Sequence, residues 1–226
     1  MKIKNIANFI FRKLDKNKDQ LKDQFFSKNE ETNTKYFFID DLLPNEFVFN
    51  AYNNFPKEIS KWLYMDTFRE RKYTYKELDK LGSDIVANLT DSFHDQGVIK
   101  SISEITNIND LVHDPSLYAG GISRMDYGHF LNPHVDNSHD GTKSLYRRLN
   151  LLFYISPNIK SEHGGNLELW DKKVKREIKL APIFNRLIIM ETNRNSWHSV
   201  DKIINKNIER ICITTYYFSK DSPENY

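Results

Sequence analysis

The chain has 226 residues, which suits one large domain, and its 33 lysines and arginines nearly balance its 31 aspartates and glutamates. The net charge of +2 provides no sequence-wide positive field of the kind that nucleic-acid-binding proteins and proteins attracted to anionic membranes carry. A single cysteine excludes an internal disulfide framework and every zinc site built from several cysteines. A metal site in this chain must therefore be built from histidine, aspartate and glutamate.

The N-terminal half of the chain is predicted to be mainly helical. Apolar residues recur at helical spacing near the N-terminus, along 45–55 and along 76–95, so we expect three helices, with a short strand at 36–44 after the first. Residues 15–35 are polar and are expected to form the end of the first helix and a loop. Residues 68–75 mix aromatic and basic side chains, which suits an exposed, irregular segment better than a surface for an anionic or peptidic ligand.

The second half of the chain has the character of a β structure. Short runs rich in isoleucine, leucine, tyrosine, phenylalanine and threonine alternate with turn residues and predict strands at 146–156, 166–170, 176–183, 185–191 and 209–219. Several short strands at this spacing are typical of a sandwich or a barrel. The predicted fold class is α+β, with a mainly β core and a helical half that covers one of its faces.

The sequence offers no membrane-spanning or secretory signal. No stretch approaches the ~18 apolar residues of a membrane span, and the basic N-terminal region is not followed by the small-residue cleavage site of a signal peptide. We therefore expect a cytoplasmic protein that binds neither membrane nor nucleic acid.

One segment combines metal-ligand residue types at strand spacing. Residues i and i+2 of a strand point to the same face, so His134 and Asp136 could share one metal ion. His198, at the start of the next predicted strand pair, could supply a third ligand. Two imidazoles and one carboxylate on one face of an iron ion leave positions open, as the facial-triad oxygenases require. Arg210 opens the last predicted strand, and its planar guanidinium could bind a carboxylate through two hydrogen bonds.

This ordered set resembles the Fe(II)- and 2-oxoglutarate-dependent oxygenases, and within them the prolyl-4-hydroxylase-like group. The resemblance rests on His134, Asp136, His198 and Arg210, and it is reinforced by the runs RLNLLFYIS and HGGNLELW that follow the first two of these residues. It implies a double-stranded β-helix, the jelly roll of cupin-like proteins, flanked by N-terminal helices.

The resemblance also sets the expected domain organisation. It implies a single oxygenase domain over residues 1–226, in which 1–35 form an N-terminal helical extension and 36–219 form the catalytic double-stranded β-helix with its supporting helices. The loop at 137–145 follows the metal strand directly, is polar and contains a glycine, which makes it a candidate lid.

The resemblance implies a ligand set and a reaction. His134, Asp136 and His198 would bind Fe(II), and Arg210 would pair with the distal carboxylate of 2-oxoglutarate. Tyr154 matches the family's strand tyrosine, which can hydrogen-bond the same carboxylate, while Tyr127 and Thr214 are further candidates for the co-substrate site and Arg124 lies nearer to the slot of a second tyrosine. The reaction would consume O2, convert 2-oxoglutarate to succinate and CO2, and turn an unactivated C–H bond into an alcohol, with ascorbate as a further candidate cofactor.

The substrate is left open between a peptide and a small molecule. A prolyl residue in a peptide or protein is the first implication of the resemblance, but a free amino acid, or a sugar or lipid intermediate, would use the same iron core. Its contacts are expected in the helical half and in the loops at 62–75, 112–123 and 137–145.

Two other classes of protein compete with this interpretation. A cupin-like metal-binding protein without oxygenase chemistry would keep the three ligands but would not need Arg210. Nucleic-acid demethylation is disfavoured, because Tyr216 stands where those relatives carry a second arginine. The remaining histidines are expected to be surface, turn or structural residues: His94, His113, His129, His139 and His163.

Overall fold

A curled antiparallel β-sheet forms the centre of the fold. The computed structural model describes residues 2–56, 58, 60, 62–75, 77–80, 83–114, 117 and 120–223. Its strands are β1 (Tyr36–Ile39), β2 (Leu63–Asp66), β3 (Glu70–Tyr75), β4 (Val112–His113), β5 (Gly121–Met125), β6 (Phe130–His134), β7 (Tyr146–Tyr154), β8 (Leu167–Trp170), β9 (Glu177–Leu180), β10 (Arg186–Glu191), β11 (His198–Val200) and β12 (Arg210–Ser219). Its helices are α1 (Ile3–Lys16), α2 (Lys18–Phe26), α3 (Asn45–Asn53), α4 (Asp84–Ser92) and α5 (Gln96–Thr106).

The strand order bends the sheet into two connected halves. The order is β1-β10-β7-β12-β5-β3-β6-β11-β8-β9, while β2 pairs with β3 and β4 pairs with β12. Strand β3 pairs with β5 over one part of its length and with β6 over another, so it joins the two halves. A jelly roll closes in this way, with two antiparallel sheets facing each other across an interior space.

Side-chain alternation along the two central strands separates the core from that interior space. In β7, Leu149, Leu151 and Phe153 belong to the large hydrophobic core, whereas Leu152 and Tyr154 belong to a smaller cluster. In β12, Ile211 and Ile213 face the large core while Cys212 faces the smaller cluster. Successive side chains of a strand point to opposite faces, so every second residue from Asn150 to Tyr154 and from Arg210 to Tyr216 is turned towards the interior space. The register of β7 and β12 shifts before Arg147, which interrupts this alternation at the start of β7.

The helices cover the outer face of the larger half of the sheet. Helix α1 buries Ile6, Ile10 and Leu14, as its apolar periodicity predicts, and it packs against α4 and α5. Helix α2 packs against β1 and α5. This arrangement confirms the predicted α+β class with a mainly β core flanked by helices. No helix within the described residues is long and apolar enough to cross a membrane.

Three expectations about the N-terminal half were wrong in detail. Residues 15–35 contain α2, because Leu21 and Phe25 lie one turn apart and are both buried. Residues 62–75 form the β2–β3 hairpin, because pairing of β3 with β5 and β6 outweighs their weak local preference. The helix predicted over 76–95 begins at Asp84, after a short 3-10 helix at Leu78–Lys80. Residues 76, 81 and 82 of that prediction lie outside the described residues, as do 115, 116, 118 and 119 of the predicted loop at 112–123.

A histidine pair closes the end of α4 against β12. His94 lies in the turn after α4, and its ring stacks on that of His113 with 4.6 Å between centroids and 17° between planes. The Nε2 atom of His94 is 3.1 Å from Oγ1 of Thr215, and its Nδ1 is 3.8 Å from the carboxylate of Asp91. Burial, with a smaller effect of His113, lowers the pKa of His94 to about 4, against an opposing effect of Asp114.

This pKa predicts a pH-dependent contribution to stability. The unfolded chain binds a proton at His94 near pH 6.5 and the folded chain only near pH 4, so the free energy of unfolding should decrease as the pH falls through this window, on the order of 2 kcal/mol for this group. The substitution His94→Gln should remove that part of the slope in urea titrations carried out between pH 7 and pH 4. The other histidines contribute equally to the pH dependence of the wild type and the variant. An identical slope of unfolding free energy against pH in the variant would therefore contradict the prediction.

Candidate metal centre and active site

Three side chains with metal-binding atoms converge where β6, β11 and the segment after β6 meet. Strands β6 and β11 are antiparallel, and their register places His134 directly opposite His198. The Nε2 atom of His134 lies 3.6 Å from Oδ1 of Asp136, and the Nε2 atom of His198 lies 3.7 Å from Oδ2. The ligand atoms of the three residues all lie within 4.8 Å of one another, so one ion could contact all of them.

The backbone orients both imidazoles for metal binding. Nδ1 of His134 is 2.9 Å from the carbonyl oxygen of Asn132, and Nδ1 of His198 is 2.9 Å from that of Ser196. A carbonyl oxygen only accepts, so each Nδ1 carries a hydrogen and each Nε2 keeps its lone pair. Burial lowers the pKa of His198 to about 4, which favours the neutral ring that a metal ion requires.

Asp136 is a carboxylate held by positive and polar neighbours. Nη1 of Arg147 is 3.5 Å from its Oδ2, and Nδ2 of Asn150 donates a hydrogen bond to the same atom at 3.2 Å. Burial alone would raise the pKa of Asp136, but His198, His134 and Arg147 together lower it well below its usual range. Asp136 is therefore ionised, as a metal ligand must be.

Arg147 and Asn150 are functional candidates that the sequence reasoning did not identify. Both lie on β7, and Arg147 is only 1% exposed, with its guanidinium 3.8 Å from the centre of the Tyr216 ring. Its Nε and Nη2 atoms and Oδ1 of Asn150 are buried without a hydrogen-bond partner in the part of the chain that the structure describes. The sequence feature that could have identified Arg147 is its position inside an otherwise apolar strand. A charged residue is rarely buried unless it is paired.

One cavity connects the metal-ligand cluster with Arg210. It has a volume of about 100 Å³. His134, Asp136 and His198 line it together with Asn150, Tyr216 and Thr214, while Leu131, Leu152, Leu167 and Val200 supply apolar walls. Arg210 lines the same cavity and opens β12, directly opposite Met125 of β5. The cavity therefore combines a metal-ligand cluster with a carboxylate-binding type of side chain.

Arg210 is buried and held in place by neutral groups. It is 3% exposed. Its Nε donates to the carbonyl oxygen of Gly165 at 2.8 Å, its Nη2 donates to the Tyr154 hydroxyl at 3.1 Å, and its Nη1 lies 3.6 Å from the sulfur of Met125. Gly165 has a φ of +79°, and a Cβ there would lie 3.0 Å from Cδ of Arg210, so glycine is needed for this close approach.

The other predicted co-substrate residues divide into two groups. Thr214 lines the cavity, and Tyr154 lies behind Arg210 with its hydroxyl pKa raised by burial. Tyr127 is 52% exposed, with the ammonium of Lys206 over its ring, and Arg124 pairs with the carboxylates of Asp126 and Glu209.

Tyr127 and Arg124 line a different cleft, and a co-substrate role for Tyr127 stays a prediction. Alternation along β5 explains the difference, because it turns Met125 towards the cavity and Arg124 away from it, and Tyr127 lies beyond the end of the strand.

The loop at 137–145 borders a second, more open cavity beside the metal-ligand cluster. Its residues line that cavity together with Asp136 and Arg194. Within the loop, the carboxylate of Asp140 accepts hydrogen bonds from the backbone N–H groups of Ser144 and Leu145 at 2.8 and 2.9 Å. The loop is thus organised around one carboxylate, and its role as a lid stays a prediction.

Comparisons with known proteins agree with this geometry. A prolyl hydroxylase from Trichoplax adhaerens, solved with a hypoxia inducible factor oxygen degradation domain peptide fragment, superposes with a TM-score of 0.61 at 20% identity, over 92% of each chain. A prolyl-4-hydroxylase from Pseudomonas putida has a TM-score of 0.56 at 12% identity, over 94% of this chain and 100% of its own. HygX from Streptomyces hygroscopicus, solved with nickel and 2-oxoglutarate, has a TM-score of 0.54 at 15% identity, over 82% and 83%.

These structural similarities confirm the predicted double-stranded β-helix. No curated protein sequence matches the chain. Residues 120–218 match the sequence model of the 2OG-Fe(II) oxygenase superfamily, and this segment contains the His134, Asp136 and His198 cluster as well as Arg210. The segment that contains the candidate metal centre is therefore similar to the 2OG-Fe(II) oxygenase superfamily, and the chain shares the fold of the prolyl hydroxylase structures.

Proposed function

We propose that this protein hydroxylates an unactivated C–H bond of a prolyl residue in a peptide or protein, with Fe(II) held by His134, Asp136 and His198. The observation that carries the proposal is the single cavity lined by both this cluster and the buried Arg210. A metal-binding protein without co-substrate chemistry would have no need for a buried guanidinium in that cavity. Arg210 therefore favours an oxygenase over a cupin-like binding protein.

The donor set suits Fe(II). Two neutral imidazoles and one ionised carboxylate on one side of an ion leave positions open for a chelating co-substrate and for oxygen. When bound, the iron activates O2 in a reaction that decarboxylates 2-oxoglutarate to succinate and CO2 and hydroxylates the substrate. The chain's own contribution is to fix the ligand atoms, which it does through Nδ1 of both histidines and through the neighbours of Asp136.

The groups around Arg210 suit the distal carboxylate of 2-oxoglutarate. A guanidinium can donate two parallel hydrogen bonds to a carboxylate, and the bonds to Gly165 and Tyr154 hold it in one orientation. Thr214 lies four residues further along the same face of β12 and lines the cavity between Arg210 and Tyr216. The apolar walls exclude water from the space between the two ends, which strengthens these charged interactions.

Two features of the surface support a peptidyl substrate. The open cavity along 137–143 adjoins Asp136, so an extended chain could reach the metal-ligand cluster from outside. The β2–β3 hairpin exposes Leu63, Tyr64 and Phe68, the last of them 91% exposed, and exposed apolar groups of this kind are typical of interaction sites. The Trichoplax adhaerens protein, which shares the fold, was solved with a peptide bound.

The cofactor assignment is tested by anaerobic addition of Fe(II) and 2-oxoglutarate. The wild type should develop the visible charge-transfer band of the chelate, and Arg210→Met should weaken 2-oxoglutarate binding roughly hundredfold, because a buried charge-assisted pair is lost. Fe(II) affinity should stay within a few-fold of the wild type. Arg186→Met, which removes a buried arginine paired with Asp40 outside the cavity, is the matched control. Absence of the band in the wild type would refute the proposal.

The role of Arg147 is tested on the metal site alone. Arg147→Met keeps the length of the side chain but removes the positive charge beside Asp136, so the affinity for Mn(II) or Fe(II) should decrease about ten- to hundredfold in calorimetric titrations. The neighbouring Arg148 instead donates hydrogen bonds to the Ser219 hydroxyl and the Asp221 carbonyl oxygen, and Arg148→Met should leave metal affinity unchanged. Equal losses in both variants would show that the effect is one of strand stability.

The substrate class is tested by product analysis. Reactions with Fe(II), 2-oxoglutarate and O2 are supplied either with proline-containing peptides or with free amino acids, and succinate is measured together with the mass of the substrate. A peptide substrate should raise succinate formation and gain one oxygen atom on a prolyl residue. Stimulation by a free amino acid alone would assign the protein to small-molecule hydroxylation instead.

A further inference from the structure

A second cation faces the cavity that contains Arg210. Lys72 of β3 lines this cavity, with its side chain 24% exposed. It lies in the segment that was expected to be exposed and irregular, and it is a regular position of a strand. Lys72 is absent from the motif residues that carry the family resemblance, so neither the motifs nor the proposed function accounts for it.

Strand register places Lys72 at the Arg210 end of the cavity. Thr74 of β3 pairs with Ser123 of β5, which in turn pairs with Cys212 of β12. Two residues further along β5 and two residues back along β12, Met125 pairs with Arg210. Because β3 and β5 are antiparallel, the step from Thr74 back to Lys72 runs in the same direction as the step from Ser123 to Met125.

Lys72 thus lies on the same face as Thr74, at the level of Met125 and Arg210. Both Lys72 and Thr74 line the cavity, in agreement with this register.

The charges at this end of the cavity are unbalanced. Lys72 forms an ion pair with Glu70 at 2.7 Å, whereas the groups that bind Arg210 are a carbonyl, a hydroxyl and a thioether. Within the described residues, no carboxylate lies at ion-pair distance from Arg210. Within the described residues, Lys72 therefore has a carboxylate partner and Arg210 has none, and a buried positive charge of this kind is stabilised by an anion.

The buried thiol of Cys212 lies within electrostatic range of both cations. Burial raises the pKa of Cys212, and the charges of Arg210 and, more weakly, Lys72 oppose that rise. Lys72 is therefore within electrostatic range of the face of β12 that carries Arg210, Cys212 and Thr214. An ammonium has three donors, and the pair with Glu70 needs only one of them.

We propose that Lys72 is a second cation for the distal carboxylate of 2-oxoglutarate, acting beside Arg210, and that Glu70 competes with this carboxylate for the ammonium group. The inference rests on the proposed function, since it assumes that 2-oxoglutarate binds in this cavity. It extends that function by making co-substrate affinity depend on an ion pair in β3. A purely structural Lys72–Glu70 pair would instead stabilise the strand, and substitution of either residue would leave the affinity for 2-oxoglutarate unchanged.

The test compares two keto acids on the full chain loaded with Mn(II). 2-Oxoglutarate carries the distal carboxylate, whereas 2-oxopentanoate has the same keto-acid end and a neutral tail. Lys72→Met should weaken 2-oxoglutarate binding roughly five- to tenfold and change 2-oxopentanoate binding less than twofold, because the ammonium is partly screened by solvent. Lys72→Arg keeps the charge and should retain most of the affinity for 2-oxoglutarate.

Glu70→Gln makes the test sharper, because it should change affinity in the opposite direction. Removal of the competing carboxylate should tighten 2-oxoglutarate binding a few-fold, with no effect on 2-oxopentanoate. Arg71→Met is the matched control, since Arg71 belongs to the same strand but pairs with Asp66 at 2.9 Å outside the cavity. Both keto-acid affinities should match the wild type in this variant.

Three results would overturn the proposal. They are an unchanged 2-oxoglutarate affinity in Lys72→Met, an equal loss for both keto acids, and a loss rather than a gain in Glu70→Gln. Any of these with a normal wild-type chelate would leave the proposed function standing and remove only Lys72 from the site. A wild type that binds neither keto acid would overturn the proposed function and this inference together.

Discussion

The alternation of side chains along β7 and β12 is the constraint on which the rest of this structure depends. One face of this strand pair supplies Leu151, Phe153 and Ile213 to the core beneath the helices, and the other supplies Asn150 and Arg210 to the cavity. A slip of one residue in their register would exchange the two faces, exposing the core and burying the site residues under helices. The large buried core therefore stabilises the same register that the site requires.

The two ends of the cavity carry different binding groups. One end holds the three metal-ligand side chains, with Asp136 ionised beside Arg147, and the other end holds Arg210 and Lys72, whose ammonium pairs with Glu70. A molecule with a chelating end and a negatively charged end matches this arrangement in both chemistry and order. Low polarity between the two ends strengthens each charged interaction, since apolar residues line the walls.

Much of the site could be predicted because its residues follow strand periodicity. The i, i+2 spacing of His134 and Asp136 predicted that they lie close together, although β6 ends at His134, and the resemblance indicated His198 and Arg210 as partners from distant strands. The place of Tyr127 could not be read from sequence, because it depends on where β5 ends and which face Met125 takes. Arg147 and Lys72 belong to no sequence motif, and the surroundings of their side chains depend on which strands pair with β7 and β3.

Short segments of the sequence were enough to predict the class of fold, the amphipathic first helix, the strands of the second half and the residue types available for a metal site. These properties are local, since hydrophobic periodicity and ligand chemistry can be seen in short segments. The tertiary structure alone decided that β3 joins both halves of the sheet, that Asp136 is supported by Arg147 and Asn150, and that Lys72 shares a cavity with Arg210. Such facts depend on pairings between residues far apart in the chain, where strand register and burial of charge outweigh local preference.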